Sequence, residues 1–216
     1  MRPQIVLFGD SITQQSFRSG GWGASLADTY SRKADVVVRG YGGYNTRWAL
    51  FLLHHLFPLV GFISFLGFSF CINLVLWNSK ECSPATLIVL ITPPPIDEEG
   101  RKQYAISVYG EKATELPERT NEMAGVYARQ CVELAKDLGI RSIDIWSAMQ
   151  EAEGWQKKFL SDGLHLTPEG NAVVYQEVIR VFNDAWLSAE EMPYDFPHHS
   201  EIDGKNPEKA FQQRCI

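Results

Sequence analysis

Two short polar segments of the chain contain residue types that together can perform nucleophilic catalysis. The first is FGDSITQQ, in which Ser11 closely follows the apolar run 4–8. The second is SDGLHLTPEGN, in which Asp162 and His165 are three residues apart. A serine hydroxyl is a weak nucleophile on its own, and a histidine whose Nδ1–H is held by a carboxylate can act as its base. The two segments therefore predict a triad of Ser11, His165 and Asp162.

Each segment also has an ordinary structural explanation. A lone Gly-Asp-Ser is commonly a turn, and a lone Asp-x-x-His before a capped helix is commonly a local hydrogen bond. Their joint position favours chemistry, because both lie at predicted strand ends of one α/β domain, where the sites of such sheets occur. A third segment, 36–46, places Gly43 after another buried strand, where a free backbone N–H can point at an oxyanion. The same turn can equally be a strand-to-helix connection in which Asn45 caps the next helix.

Strands and helices that would position these residues alternate along the chain. Buried strands are predicted at 4–8, 35–38, 86–91 and 141–145. Helices are predicted at about 22–33, 45–57, 119–138 and 168–187, the last with Thr167 as its N-cap. The alternation predicts an α/β fold with a mainly parallel sheet that helices cover on both faces. We expect one domain over 1–187 and a polar tail over 188–216 that packs on it or is partly disordered.

Composition limits the partners and the compartment. The chain has 216 residues and a formal net charge of -6, so it lacks the basic surface that nucleic acid or an anionic membrane would require. The four cysteines show neither a CxxC pair nor nearby histidines, which predicts reduced thiols and no metal site. The N-terminal residues lack the apolar core of a signal peptide, which predicts a cytoplasmic protein. The oligomeric state stays open.

Together these motifs resemble a known family. The segments GDSIT, RGYGGYNT and DGLHLTPEGN occur in the order typical of the GDSL/SGNH hydrolases. The segment LIVLITPPPIDEEGR and the tail are similar to the plant branch related to isoamyl acetate-hydrolysing esterases, so that the resemblance covers about 1–58 and 82–211. It implies a flavodoxin-like α/β/α fold, hydrolysis of small acetyl-type esters through an acyl-enzyme on Ser11, and no cofactor. It also implies an oxyanion hole that includes the backbone N–H groups of Ser11 and Gly43.

The central segment 59–77 departs from the family pattern. The family has a Gly-x-Asn-Asp block at the end of its third strand, whose asparagine is a third donor to the oxyanion. Here the segment contains one asparagine, Asn73, without that glycine or aspartate. If 68–77 were the strand, too few residues would remain for a parallel crossover, and if 60–66 were the strand, Asn73 would lie away from its end. Asn73 is therefore a weak candidate donor, and the alternative function is a weak or inactive isoform that binds or has no function.

Three structures are open for segment 59–77. It can form an improvised core strand and helix, associate with a membrane because its uncharged run approaches the roughly 20 residues of a spanning helix, or remain unpacked with exposed apolar surface. A membrane span would separate the first two strands from the rest of their sheet. We therefore favour the core alternative and expect no membrane partner. Trp22, which closely follows the Ser11 turn, is a candidate wall of the substrate pocket.

Overall fold

One parallel sheet organises the part of the chain that the structure describes. The structure is a computed structural model, and it describes residues 2–56, 63–68, 86–113 and 119–212. The strands are β1 (Gln4–Gly9), β2 (Asp35–Gly40), β3 (Ile63–Phe68), β4 (Ile88–Ile91) and β5 (Arg141–Ile143). They pair in parallel in the order β2-β1-β3-β4-β5. This is the order of flavodoxin-like proteins, so the predicted α/β class with a mainly parallel sheet is confirmed.

Helices connect the strands in the described ranges. They are α1 (Ser11–Gln14), α2 (Trp22–Thr29), α3 (Thr46–Leu56), α4 (Glu98–Tyr109), α5 (Asn121–Asp137), α6 (Ile145–Gln150), α7 (Trp155–Phe159), α8 (Pro168–Asn183) and α9 (Glu208–Gln212). Helices α2, α3, α5 and α8 match the four predicted ones, and the Thr167 hydroxyl accepts the Gly170 N–H at 3.1 Å as the N-cap of α8. The sequence did not predict α4, which lies beside the site described below.

Helices pack on both faces of the sheet. Successive side chains of a strand point to opposite faces. On one face, the buried Ile5 and Leu7 of β1 pack in the core that also contains Leu26 of α2 and Val174 of α8. On the other face, the neighbouring Phe8 packs with residues of α3 and α5. The result is the predicted three-layer arrangement.

Strand β3 settles which register the central segment adopts. The strand lies at Ile63–Phe68, near the 60–66 alternative, and it pairs with β1 on one side and β4 on the other. Residues 69–87 lead to β4, which is enough chain for a parallel crossover of about a dozen residues. The rest of the segment, Asn73 included, lies outside the described residues. Of the helices within the described ranges, none has the length and apolar character needed to cross a membrane.

The C-terminal tail contacts the connection between α2 and β2. The Tyr30 hydroxyl donates a hydrogen bond to the Leu187 carbonyl at 2.6 Å, and the Arg32 guanidinium donates to the Phe196 carbonyl at 2.6 Å. Asp195 accepts from Arg32 Nε at 3.3 Å. These contacts hold the first part of the tail against the body of the protein. The division into a domain and a tail at residue 187 stays a prediction.

Candidate active site

Ser11 is presented by a sharp turn at the carboxyl end of β1. It begins the short helix α1, and Asp10 caps that helix by accepting the Ile12 N–H on Oδ1 at 2.9 Å. Ile12 and Thr13 are buried beneath the turn, whereas Ser11 is half-buried. Its hydroxyl is therefore held at the edge of the sheet, where sites in open α/β sheets form.

The loop between α7 and α8 brings Asp162 and His165 to the same edge. Asp162 Oδ1 accepts the backbone N–H groups of Leu164 at 3.0 Å and of His165 at 2.7 Å, which closes a tight turn. Asp162 Oδ2 lies 2.8 Å from His165 Nδ1, and His165 Nε2 lies 3.0 Å from Ser11 Oγ. The structure thus brings together all three residues that the sequence nominated.

The ionisation of the Asp162 carboxylate determines which nitrogen of His165 carries the proton. Burial raises the pKa of Asp162, but the hydrogen bonds from the ring and the backbone N–H of His165 outweigh that effect and hold its pKa well below its ordinary value. An ionised carboxylate can only accept, so His165 Nδ1 carries the proton and donates it. Nε2 is then free to accept the Ser11 hydroxyl proton. The neighbouring Asp10 behaves oppositely, since burial raises the pKa of its carboxyl.

A glycine turn after β2 lies beside Ser11. The Gly42 N–H donates to Gln14 Oε1 of α1 at 2.7 Å, which fixes the turn to the serine helix. A Cβ added to Gly42 would lie 3.6 Å from Ser11 Cβ, so the two segments are close. Gly43 is exposed with φ +78°, a conformation that favours glycine, and none of the described residues accepts its N–H. Asn45 caps α3 through the Trp48 N–H at 3.0 Å, so the predicted cap is present as well.

Aromatic side chains continue from this turn along α3. The ring of Tyr41 contacts that of Phe8, with centroids 6.3 Å apart, and Tyr44 follows at 5.5 Å from Tyr41. Trp48 contacts Tyr44 edge-on at 5.6 Å. Tyr44 and Trp48 are 43% and 51% exposed, so aromatic surface lies next to the glycine turn.

Trp22 does not form part of this surface. Its side chain is 1% exposed and belongs to the main hydrophobic core, while its backbone N–H donates to Asn171 Oδ1 at 3.1 Å. The hypothesis that Trp22 lines the substrate pocket is wrong, because closeness to Ser11 in sequence did not determine which way the α2 side chain points. Within the described ranges no group of three or more His, Cys, Asp or Glu side chains is arranged to hold a metal ion.

Helix α4 supplies a contact that the sequence reasoning missed. Arg101, in the first turn of α4, donates through Nη1 to Asp162 Oδ2 at 3.1 Å. The ion pair is partly buried, with 21% of the Arg101 and 13% of the Asp162 side chain exposed. The acidic first turn Glu98-Glu99 after Asp97 was the available signal for this helix.

The loop of Asp162 and His165 fits against α4 through Gly163. We expect Gly163→Ala to lower both stability and turnover, because Gly163 has φ +81° and an added Cβ would lie 2.4 Å from the Asp97 carbonyl oxygen and 2.5 Å from Arg101 N. Backbone strain of about 1–2 kcal/mol adds to overpacking of about 1–3 kcal/mol. Chemical denaturation and ester turnover measure the two effects.

Gly139→Ala is the matched control for this change. Gly139 also has positive φ, +63°, but nothing lies within 4 Å of its added Cβ. The free energy of unfolding of Gly139→Ala should therefore fall only by the backbone-strain contribution, and its turnover should be unchanged. Equal losses in the two variants would mean that the contact between Gly163 and α4 does not matter.

Comparisons with known proteins agree with this fold. The family model for GDSL-like lipase/acylhydrolase matches residues 5–56 and 73–178. A GDSL esterase/lipase of Arabidopsis thaliana is 63% identical over 242 residues, covering 100% of both chains. An isoamyl acetate-hydrolyzing esterase 1 homolog of Bos taurus is 36% identical over 238 residues, covering 95% of this chain and 90% of the relative. The chain therefore belongs to the GDSL-like lipase/acylhydrolase family, and it is a carboxylic ester hydrolase.

The comparisons also mark the unusual central segment. A lipase/acylhydrolase from Enterococcus faecalis shares the fold, with a TM-score of 0.61 at 20% identity over 90% of this chain and 98% of that one. The family match, however, stops at residue 56 and resumes at 73. The alignment with the Arabidopsis relative spans 242 positions against the 216 residues of this chain. The relative therefore has residues that this chain lacks.

Proposed function

We propose that the protein is a serine esterase that hydrolyses small carboxylic esters through an acyl-enzyme on Ser11. The observation behind this proposal is the continuous contact from Ser11 Oγ to His165 Nε2, at 3.0 Å, and from His165 Nδ1 to Asp162 Oδ2, at 2.8 Å. Nucleophile, base and orienting carboxylate are thus within hydrogen-bond reach in the order that acyl transfer needs.

The reaction follows from these contacts in two halves. Ser11 Oγ attacks the ester carbonyl while His165 Nε2 takes its proton, and His165 returns that proton to the departing alcohol. Water then loses a proton to His165 and attacks the acyl-enzyme, which releases the acid and restores Ser11. Asp162, ionised throughout, holds the ring in one tautomer and stabilises the imidazolium that forms in each half.

The oxyanion would be held by backbone N–H groups. Those of Ser11, at the start of α1, and of Gly43, exposed beside it, are the donors that the geometry supports. Asn73, the candidate third donor, lies outside the described residues, and the family match resumes at this residue after an interruption at 57–72. Because the sequence around Asn73 lacks the glycine and the aspartate of the Gly-x-Asn-Asp block, we propose two backbone donors and a reduced rate, since one missing donor costs about 10²–10³ in turnover.

Substrates with apolar groups fit the surroundings of Ser11. Tyr44 and Trp48 expose aromatic surface next to the glycine turn. The Bos taurus relative is an isoamyl acetate-hydrolyzing esterase homolog, which makes short acetyl esters of apolar alcohols suitable first substrates. We propose a cytoplasmic location on the sequence evidence given above.

A weak or inactive isoform is the second candidate function. The interruption of the family match at 57–72 favours it, since the missing match falls on the strand next to β1. Such a chain would retain the fold and bind a ligand without turning it over. In this alternative the chain could also associate with a membrane through segment 59–77. Most residues of that segment lie outside the described ranges.

Activated and unactivated esters should distinguish the two candidates. We expect the protein to turn over p-nitrophenyl acetate and to be slow on isoamyl acetate, because the poorer leaving group depends more on oxyanion stabilisation. Restoring a Gly-x-Asn-Asp block with its crossover helix in the central segment should raise turnover of isoamyl acetate by about 10² and that of p-nitrophenyl acetate by less. Steady-state assays of both esters measure the ratio.

Asn73→Ala in the unmodified chain is the complementary control. If Asn73 contributes no hydrogen bond, the variant keeps its turnover on both esters. A loss of about 10² would identify Asn73 as the third donor and contradict the proposed reduced rate. A protein that hydrolyses neither ester and does not react with a fluorophosphonate would be the inactive isoform.

A further inference from the structure

We propose that Arg101 is a positioning residue for this reaction, acting on His165 through Asp162. The inference rests on the proposed function, because it assigns Arg101 a role in the same triad. Arg101 Nη1 donates to Asp162 Oδ2 at 3.1 Å and lies 3.4 Å from the Asp162 backbone carbonyl oxygen. It therefore contacts both the side chain and the backbone of the residue that orients His165.

The hydrogen bonds to Asp162 show what Arg101 adds. Oδ1 accepts two backbone N–H groups of the loop itself, those of Leu164 and His165. Oδ2 accepts the ring N–H of His165 on one side and the guanidinium of Arg101 on the other. The loop's own donors all reach the carboxylate from one stretch of chain, and among the described residues Arg101 is the contact that anchors the carboxylate to a separate helix.

Packing fixes Arg101 at this position. The Arg101 N–H donates to the Asp97 carbonyl at 2.9 Å in the first turn of α4, and the Asp97 N–H donates to the Gly163 carbonyl at 3.0 Å. The Asp97 side chain pairs with Lys157 at 2.8 Å. The backbone of the loop is thus joined to the start of α4 beside the Arg101–Asp162 contact.

An aromatic ring covers one face of the Arg101 guanidinium. Arg101 Cζ lies 5.1 Å from the centre of the Tyr104 ring, one turn along α4, at a cation–π distance. The ion pair is only partly exposed to solvent, so it is screened less than a surface pair. A guanidinium held on two sides in this way limits how far the Asp162 carboxylate can rotate.

The expected effect is on the chemical step. Without Arg101 the carboxylate keeps its two backbone donors but can turn about its side-chain bond, so that His165 loses alignment toward Ser11. We expect Arg101→Gln to lower kcat on p-nitrophenyl acetate about tenfold with KM unchanged, since misplacement near 1 Å costs up to about 10². Arg101→Lys retains the charge and should lose less.

A double-mutant cycle with Asp162→Asn tests whether Arg101 works through Asp162. If it does, adding Arg101→Gln to the Asp162→Asn variant should change kcat by less than about twofold, because the partner is already gone. Each kcat is calculated from the concentration of active sites, which is measured by titration with a fluorophosphonate, so unfolded molecules do not lower it. Lys102→Gln, an exposed cation next along α4, is the matched control and should leave kcat unchanged.

The outcomes separate this inference from the proposed function. A kcat of Arg101→Gln within twofold of that of the unmodified protein would overturn the inference. So would an equal loss of kcat with and without Asp162→Asn, or a change confined to KM. Equal losses of kcat in Arg101→Gln and Arg101→Lys would overturn it as well. If Asp162→Asn itself leaves kcat unchanged, the triad and the inference fail together. If Asp162→Asn is impaired and Arg101→Gln is not, only the inference fails.

Discussion

Ser11→Ala is expected to abolish covalent labelling by a fluorophosphonate and to lower turnover of p-nitrophenyl acetate by about 10⁴ or more. The hydroxyl of Ser11 is the nucleophile of the proposed reaction, and no acyl-enzyme can form without it. The remaining rate would come from substrate binding and the backbone donors acting on water. Intact-protein mass spectrometry measures the labelling, and a steady-state assay measures the turnover.

Two controls make this result specific. Ser107→Ala removes an exposed hydroxyl on α4 that contacts only the Tyr104 carbonyl among the described residues, so its labelling and turnover should be unchanged. Thermal unfolding of Ser11→Ala should match that of the unmodified protein, because Ser11 is half-buried at a turn. Persistent labelling in Ser11→Ala would place the nucleophile elsewhere and overturn the proposed mechanism.

His165→Ala is expected to have the second largest effect. Its ring is the proposed base and lies 3.0 Å from the Ser11 hydroxyl, so turnover without it should fall nearly as far as in Ser11→Ala. Asp162→Asn should cost less, because the base remains but its tautomer is no longer fixed. Turnover of p-nitrophenyl acetate by the three variants gives the order.

Combining the changes tests whether the residues act as a unit. The variant with both Ser11→Ala and His165→Ala should be no slower than Ser11→Ala alone, since either change removes the same step. Losses that multiply would show that His165 serves another purpose than activating Ser11. A His165→Ala variant within tenfold of the unmodified protein would exclude it as the base.

The sequence was informative about features that short local motifs determine. Ser11 closely follows a predicted strand, and the Asp-x-x-His spacing before a capped helix identified Asp162 and His165 as its partners, so the sequence predicted their convergence. The structure places Asp162 and His165 in the loop between α7 and α8 and not at a strand end. Thr167 before Pro168 similarly marked the start of α8, because capping chemistry is local.

Helix α4 and Arg101 were missed for a physical reason. A helix is recognised by an apolar face, but most of α4 is exposed, including Tyr104, Ile106, Val108 and Tyr109, and Gly100 is its buried residue. Its position is determined by backbone contacts with Gly163, which lies far away in sequence. No periodic pattern within the segment could report a contact of that kind.

The register of β3 could not be derived for a different reason. A continuous apolar run offers no alternation that distinguishes one starting residue from another. Only the pairing with β1 and β4 selects Ile63–Phe68. The prediction for Asn73 stays a prediction, because that residue lies outside the described ranges.

The position of β3 in the sheet couples the geometry of the candidate active site to the register of the strands. Ser11 follows β1, whereas Asp162 and His165 follow β5, and in the sheet β3 is the strand that joins the β2–β1 pair to the β4–β5 pair. If β3 paired with β1 in a register shifted by two residues while its pairing with β4 stayed the same, the β4–β5 pair would move by about 6–7 Å relative to the β2–β1 pair. That displacement is about twice the 3.0 Å between His165 Nε2 and Ser11 Oγ. A sequence exchange in the central segment that changes the register of β3 would therefore separate Ser11 from His165 by whole residue steps. The rate of Ser11 labelling would report which register a redesigned segment has adopted.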